Sequence, residues 1–162
     1  MHGAHGEHGE MSGEVVRHHY LMLGGNLLLS LVIMYVAMFA MIWSWGEFVQ
    51  NINFFYMALV MWAPMAAVML LTMRPMYPNK KLNGFLYLGF AAVFILSMIG
   101  IRQQSLVGDR QFLRSMIPHH SGAVLMCEKA KIADPEIQTL CRGIISSQNS
   151  EIDQMKAILE RK

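Results

Sequence analysis

The residues best suited to chemistry are two adjacent histidines, His119 and His120, which follow Met116 in the same segment. Imidazole binds copper, zinc or nickel, whereas a thioether is a soft ligand that prefers Cu(I). The mixture of histidine and methionine therefore favours copper over zinc. Because a buried imidazole is costly without partners, the alternatives are an internal hydrogen-bond network or a surface-facing pair.

Two amphipathic segments with helical periodicity must position these side chains. The first begins at Asp109, a residue type that caps helices, and the second follows Asp134, a second suitable cap. Pro135 then occupies the first helical position, where proline is favoured. Residues 109–162 are therefore expected to form an antiparallel helical hairpin.

Counting outward from a turn near Asp134 predicts which residues of the two helices lie opposite each other in the hairpin. The facing sets are Cys127 with Cys141, His120 with Gln148, and Met116 with Ile152 beside Glu151. Pro118 lies between Met116 and the histidines, and it could kink the helix and redirect their side chains. The expected metal ligands are Met116, His119, His120, Met126 and Met155, with Asp109, Gln148 and Glu151 in supporting positions.

The two cysteines, Cys127 and Cys141, are expected at the same level of the hairpin. In an oxidising compartment they could form a disulfide, and as thiolates they could bind Cu(I). Inert free thiols are the third alternative, and the distance between their Cα atoms would decide about the disulfide.

Most of the chain before the hairpin is apolar enough to lie in a membrane. Of 24 charged residues, 15 lie in the segment 109–162. Three long runs without charge, 21–43, 54–73 and 83–101, match the roughly 20 residues that a helix needs to cross a bilayer. The sequence therefore predicts an all-α protein with a transmembrane domain over residues 21–101, in contact with lipid, followed by the hairpin.

The distribution of lysine and arginine predicts the orientation in the membrane. The first loop has none, whereas the second contains Arg74, Lys80 and Lys81. This pattern puts the N-terminus in the cytoplasm and the hairpin outside it, in a bacterial inner membrane. Residues 1–20 are polar and are expected to be a flexible tail. Its histidines could bind copper or nickel weakly, and they are His2, His5 and His8.

The second span contains a row of methionines spaced by four residues, which places them along a slowly winding stripe. They are Met57, Met61, Met65, Met69 and Met73. One interpretation is a path for Cu(I), and this architecture resembles eukaryotic copper transporters of the Ctr type, although the predicted topology is opposite and no GxxxG occurs in the third span. The other interpretation is that methionine simply fills irregular helix contacts.

The segment DRQFLRSMIPHHSGAVLM, followed by QNSEIDQM, resembles the DUF305 family. That resemblance covers about the last third of the chain and singles out Asp109, Phe112, Met116, His119, His120, Met126, Gln148, Glu151 and Met155. It implies a helical fold related to ferritin-like bundles, export from the cytoplasm, and in some members copper or silver binding and tolerance. The three membrane spans and the single hairpin depart from the soluble members.

One hairpin cannot bury both of its apolar faces, so a homodimer completing a four-helix bundle is expected, with packing onto its own membrane domain as the alternative. The leading hypothesis is sequestration of Cu(I), or its transfer to a copper-handling partner protein. The alternatives are a structural interaction module and a transporter that uses the methionine row. We expect no enzyme, because no nucleophile with a matched base occurs, and no nucleic-acid partner, because the basic residues are scattered.

Overall fold

The computed structural model describes residues 13–162, and over this range the fold is all-α. Short 3-10 turns at Met38–Met41, Trp45–Glu47 and Arg74–Met76 join or extend the helices. The helices are α1 (Gly13–Ala37), α2 (Ile52–Thr72), α3 (Lys80–Gln103), α4 (Asp109–Lys129) and α5 (Pro135–Arg161). The predicted fold class, three apolar helices followed by a helical hairpin, is confirmed.

By length and composition, three stretches could cross a membrane: Gly13–Met41, Ile52–Thr72 and Lys80–Gln103. The first of these begins eight residues before the predicted start of the span at Leu21, so residues 13–20 are helical and do not belong to a flexible tail. The reason is tertiary contact, because the Tyr20 hydroxyl donates to Asn83 Oδ1 over 2.7 Å. His2, His5 and His8 lie outside the described residues.

Small residues allow the apolar helices to pack closely, as is usual between membrane helices. A Cβ atom built at Gly100 of α3 would lie 3.0 Å from the ring of Tyr56 on α2, so only glycine fits without a shift. The indole of Trp62 on α2 donates to the carbonyl of Leu27 on α1 over 2.7 Å. These contacts join the three helices into one bundle.

The hairpin is closed near its turn by a disulfide between Cys127 and Cys141, whose Cα atoms are 5.3 Å apart. Of the three alternatives for these cysteines, the structure therefore has the disulfide, and neither thiolate is available to Cu(I). By chain entropy, closing a loop of this size stabilises a fold by about 3 kcal/mol. A disulfide in the C-terminal part also supports an extracytoplasmic location for the hairpin.

The two predicted helix caps have different outcomes. Asp134 caps α5 as expected, since its Oδ1 accepts the backbone N–H groups of Glu136 and Ile137. Asp109 does not cap α4, because Gly108 occupies the N-cap position and Asp109 is the first helical residue. The Asp109 side chain binds Lys162 instead, at the open end of the hairpin.

A buried carboxylate joins the hairpin to the bundle formed by the three apolar helices. Glu47, in the α1–α2 connection, is only 6% exposed. Its Oε2 accepts the backbone N–H of Ser44 and the hydroxyl of Ser121 on α4. Its Oε1 lies 3.7 Å from the ammonium of Lys156 on α5. One side chain thus contacts both helices of the hairpin.

A second set of polar contacts fixes α4 against the start of α2. Gln111 Oε1 accepts the backbone N–H of Ile52 over 3.1 Å, and the Ser115 hydroxyl donates to Asn51 Oδ1 over 3.4 Å. Asn51 is itself the N-cap of α2, since it accepts from the backbone of Phe54. The membrane helix and the hairpin therefore share one capping network.

These contacts show that α4 packs on the protein's own α1–α2 connection, which was the alternative to dimerisation at that face. Ser121 and Val124 of α4 are almost completely buried there. On α5, Ile137 and Leu140 near the turn remain exposed. Pairing of two hairpins stays a prediction, and the face available for it is on α5.

We expect Ser121→Ala to weaken the joint between the hairpin and the bundle. The change leaves Glu47 with one donor fewer and the Trp43 N–H without its acceptor. A buried polar group that loses its partner costs about 1–3 kcal/mol. Hydrogen exchange of residues 43–51 should therefore accelerate. Ser146→Ala, on the exposed side of α5, is the matched control; equal exchange in both variants would contradict the role of Ser121.

Candidate metal centre

The centre of the candidate site is the imidazole of His120, which is buried between α4 and α5. Its Nδ1 donates to the backbone carbonyl of Met116 over 2.9 Å, one helical turn earlier. Its Nε2 lies 2.7 Å from Glu151 Oε2 on α5. Both ring nitrogens thus have partners, and the ring orientation is fixed from both helices.

The partners of His120 determine where protons can be. A carbonyl oxygen only accepts, so Nδ1 must carry a hydrogen. The contact between Nε2 and the carboxylate of Glu151 requires one further proton between these two groups. An ion that bound at Nε2 would replace this proton, as metal binding to imidazole generally does.

The register of the hairpin differs from the prediction at this level. His120 contacts Glu151, three residues beyond the expected Gln148, although Cys127 and Cys141 pair as expected. Helical side chains lean toward the N-terminus of their own helix. In an antiparallel pair, the α4 side chain therefore leans away from the turn and the α5 side chain leans toward it. Long side chains thus meet with an offset of about 4.5 Å, three residues of helical rise.

The same offset brings two of the predicted thioethers together. Met116 lies one turn before His120 on α4, and Met155 lies one turn after Glu151 on α5. Met155 is buried and Met116 is partly buried, and both belong to the cluster that also contains Ile117 and Ile152. The paired imidazole and carboxylate therefore have two methionines near them, one turn away along each helix, and both methionines pack in the same apolar cluster.

The remaining predicted ligands lie outside this quartet of Met116, His120, Glu151 and Met155. His119 is exposed, and its ring centroid is 6.0 Å from that of His120. Met126 is 54% exposed and lies six residues beyond His120, about 9 Å along the helix. Gln148 is half-buried one turn before Glu151. Helix α4 continues through Pro118, which lies buried within it.

The donor set limits which ions fit. Among residues 13–162, no three His, Cys, Asp or Glu side chains are gathered in a way that could hold a metal ion. His120 and Glu151 supply two such donors, and Met116 and Met155, one turn away along the two helices, carry thioethers. Sulfur donors of this kind select Cu(I) rather than zinc or a hard cation.

Asp109, a predicted supporting residue, lies far from the histidines at the open end of the hairpin. Its hydrogen bond with Lys162, together with the charge of that ammonium, lowers the pKa of the Asp109 carboxyl below its ordinary value. The carboxylate also lies at the N-terminus of α4, where negative charge is favourable. Its role in the structure is to close the hairpin end.

The methionine row of α2 does not line one common surface. Met57 and Met61 face outward from the bundle, where lipid would lie, whereas Met65 and Met69 pack against the apolar cluster with α1 and α3. Met73 is exposed at the end of the helix. This arrangement fits methionine as an apolar filler at helix contacts. Ion transport along the row stays a prediction.

Sequence reasoning missed Glu47, which fixes the hairpin on the bundle. One signal was available: Glu47 is the only acidic residue between Glu14 and Asp109. A single carboxylate beside membrane spans is costly unless it is paired, so its presence predicts a specific partner. The sequence did not reveal that these partners are Ser121 and Lys156. The two residues directly follow His120 and Met155.

We expect Lys162→Ala to raise the pKa of Asp109 toward its ordinary value, because the ammonium that favours the carboxylate is removed. A lowered folded-state pKa means that this contact stabilises the fold above the unfolded pKa and is lost as pH falls through the lower, folded value. NMR titration of the Asp109 carboxyl carbon would measure the change. An unchanged pKa in the variant, with the exposed Lys131→Ala as the control, would contradict this contact.

Comparison with known proteins places the chain in a family. Residues 96–159 match the family described as "Domain of unknown function (DUF305)", so the match begins within α3 and includes almost all of the hairpin. The uncharacterized protein L153 of Acanthamoeba polyphaga mimivirus is 32% identical over 121 residues, which covers 74% of this chain and 78% of the relative. No solved structure matches. The chain therefore belongs to the DUF305 family.

Proposed function

We propose that the hairpin binds Cu(I), or Ag(I), and that the protein sequesters this ion or transfers it to a copper-handling partner at a bacterial inner membrane. The observation that carries the proposal is that Met116 and Met155 pack in one apolar cluster, each one helical turn along its helix from the paired His120 and Glu151. A histidine and two thioethers form a soft donor set. The disulfide and the three apolar helices support a site just outside the membrane.

The hydrogen bonds of His120 suggest how an ion would bind. Nδ1 stays bonded to the Met116 carbonyl, which orients the ring in the manner common for metal-binding histidines. Glu151 is half exposed, so its carboxylate can turn toward solvent and release Nε2. The proton that the ion displaces from Nε2 then passes to solvent water. Glu151 thus holds the site closed in the absence of metal.

His119 has a separate role in this proposal. It is exposed beside His120, with the ring centroids 6.0 Å apart. An exposed imidazole at the edge of a buried site can take up an ion from a partner before it reaches Nε2. Loss of His119 should then slow loading more than it weakens binding.

A second candidate function is a structural or interaction module without metal. It is favoured by one observation, the full hydrogen bonding of His120 by Met116 and Glu151. A buried histidine with both nitrogens satisfied is a stable part of a core. Under this alternative the exposed Ile137 and Leu140 of α5 would contact a partner bundle.

We expect His120→Ala and the double variant Met116→Leu/Met155→Leu each to weaken Cu(I) binding by more than about tenfold. Mutating a residue that only hydrogen-bonds to a metal ligand already lowers metal affinity by about that factor. Titration of the full-length protein in detergent against a competing Cu(I) chelator measures this affinity. In every sample His2, His5 and His8 are replaced by alanine, and Met69, Met73 and Met76 by leucine. These changes remove binding by soft donors outside the hairpin.

Met126→Leu is the matched control, because Met126 lies on the same helix but is exposed and distant from His120. It should bind as tightly as the unchanged hairpin. Binding that is equally strong in His120→Ala and in the control would reject the proposed site and favour the structural module. Leucine for methionine conserves volume, so a loss in the double variant reports on sulfur rather than on packing.

A further inference from the structure

A second group of soft donors lies at the opposite end of the molecule, outside the region that matches the family. A cavity of about 630 Å³ opens between the start of α1 and the end of α2. Its lining includes His18, His19, Met22, Met69, Met73 and Met76. We propose that this cavity, the α1–α2 groove, is a second binding site for a soft monovalent ion, Cu(I) or Ag(I).

The helices place these donors on facing surfaces. His18 and Met22 are four residues apart on α1, and Met69 and Met73 are four apart on α2, so each pair shares one face of its helix. Met76 follows in the 3-10 turn Arg74–Met76. The groove is open partly because Gly25 on α1 presents no side chain and has open space at its Cβ position.

One imidazole is already oriented for binding. His19 Nδ1 lies 3.3 Å from the carbonyl oxygen of Met76, and a carbonyl only accepts, so Nδ1 carries the hydrogen. In the neutral ring Nε2 is then the nitrogen without a hydrogen, and this nitrogen is free to bind a metal ion. An imidazole held through its other nitrogen by a backbone carbonyl is the usual arrangement for a metal ligand.

The chemistry of the lining selects the ion. Four thioethers and two imidazoles line the groove together with Asn26, whose amide donates to Met69 Sδ over 3.6 Å. No Asp or Glu of the described residues takes part in this lining. The groove therefore lacks the carboxylate oxygens that usually bind Mg²⁺ and Ca²⁺, whereas its thioethers are ligands for Cu(I).

The position of the groove separates it from the hairpin site. It lies beside the α2–α3 connection, and the hairpin contacts the α1–α2 connection at the other end of the bundle. The two sites therefore face opposite sides of the membrane and cannot share an ion. An ion in the groove is available on the side where Arg74, Lys80 and Lys81 lie.

The test uses Ag⁺, which is not oxidised during handling, and the full-length protein in detergent micelles. All samples carry His120→Ala and alanine at His2, His5 and His8, so the hairpin and the N-terminal segment are removed as competitors. One equivalent of Ag⁺ should bind and should shift the NMR signals of the methyl groups of Met69, Met73 and Met76. Met69→Leu/Met73→Leu/Met76→Leu should weaken binding at least tenfold.

The matched control is Met57→Leu/Met61→Leu, which changes the same helix at positions facing outward. It should retain the bound ion, and its circular dichroism and that of the groove variant should stay those of the parent. Equal Ag⁺ affinity in both variants, or methyl shifts confined to Met57 and Met61, would overturn the proposal. Because His120 is replaced in every sample, a negative result in this experiment does not count against the hairpin site. A negative result for the hairpin site likewise does not count against the α1–α2 groove.

Discussion

The hairpin has a defined position on the bundle of three apolar helices because one buried carboxylate requires it. Glu47 is 6% exposed, and an unpaired charge at that depth would cost several kcal/mol. Its hydrogen-bond donors come from its own loop and from Ser121 on α4, and Lys156 on α5 forms an ion pair with it. Ser121 and Lys156 directly follow His120 and Met155. The contact that holds the hairpin in place therefore also fixes the two helices where the soft donors meet.

The geometry of the donors follows from the direction of helical side chains. The disulfide sets the distance between the helices near the turn, and long side chains further along lean in opposite directions. This offset pairs His120 with Glu151 and brings Met116 into the cluster of Met155. A site of this kind can be fully hydrogen-bonded without metal and still offer imidazole and sulfur once Glu151 moves.

Large-scale features could be predicted from the sequence because they depend on composition and periodicity. Three uncharged runs predicted the three apolar helices, and Asp134 predicted the position of the turn. The predictions that the structure corrects concern tertiary contacts. Helix α1 extends to Gly13 because His19 contacts Met76 in the α2–α3 connection and Tyr20 donates to Asn83 of α3. The pairing of His120 with Glu151 is offset by nearly one turn, and Glu47 is buried against the hairpin. Predicting either feature requires the directions of individual side chains, which residue spacing alone does not give.

The central claim is that His120 and thioethers bind one soft ion together. X-ray absorption at the copper edge tests it most directly, on full-length protein loaded with one equivalent of Cu(I). The groove methionines Met69, Met73 and Met76 are replaced by leucine, and His2, His5 and His8 by alanine, so that only the hairpin binds. The account predicts scattering from sulfur together with imidazole nitrogen, and loss of the imidazole component in His120→Ala. A spectrum without sulfur, or one that His120→Ala leaves unchanged, would contradict it.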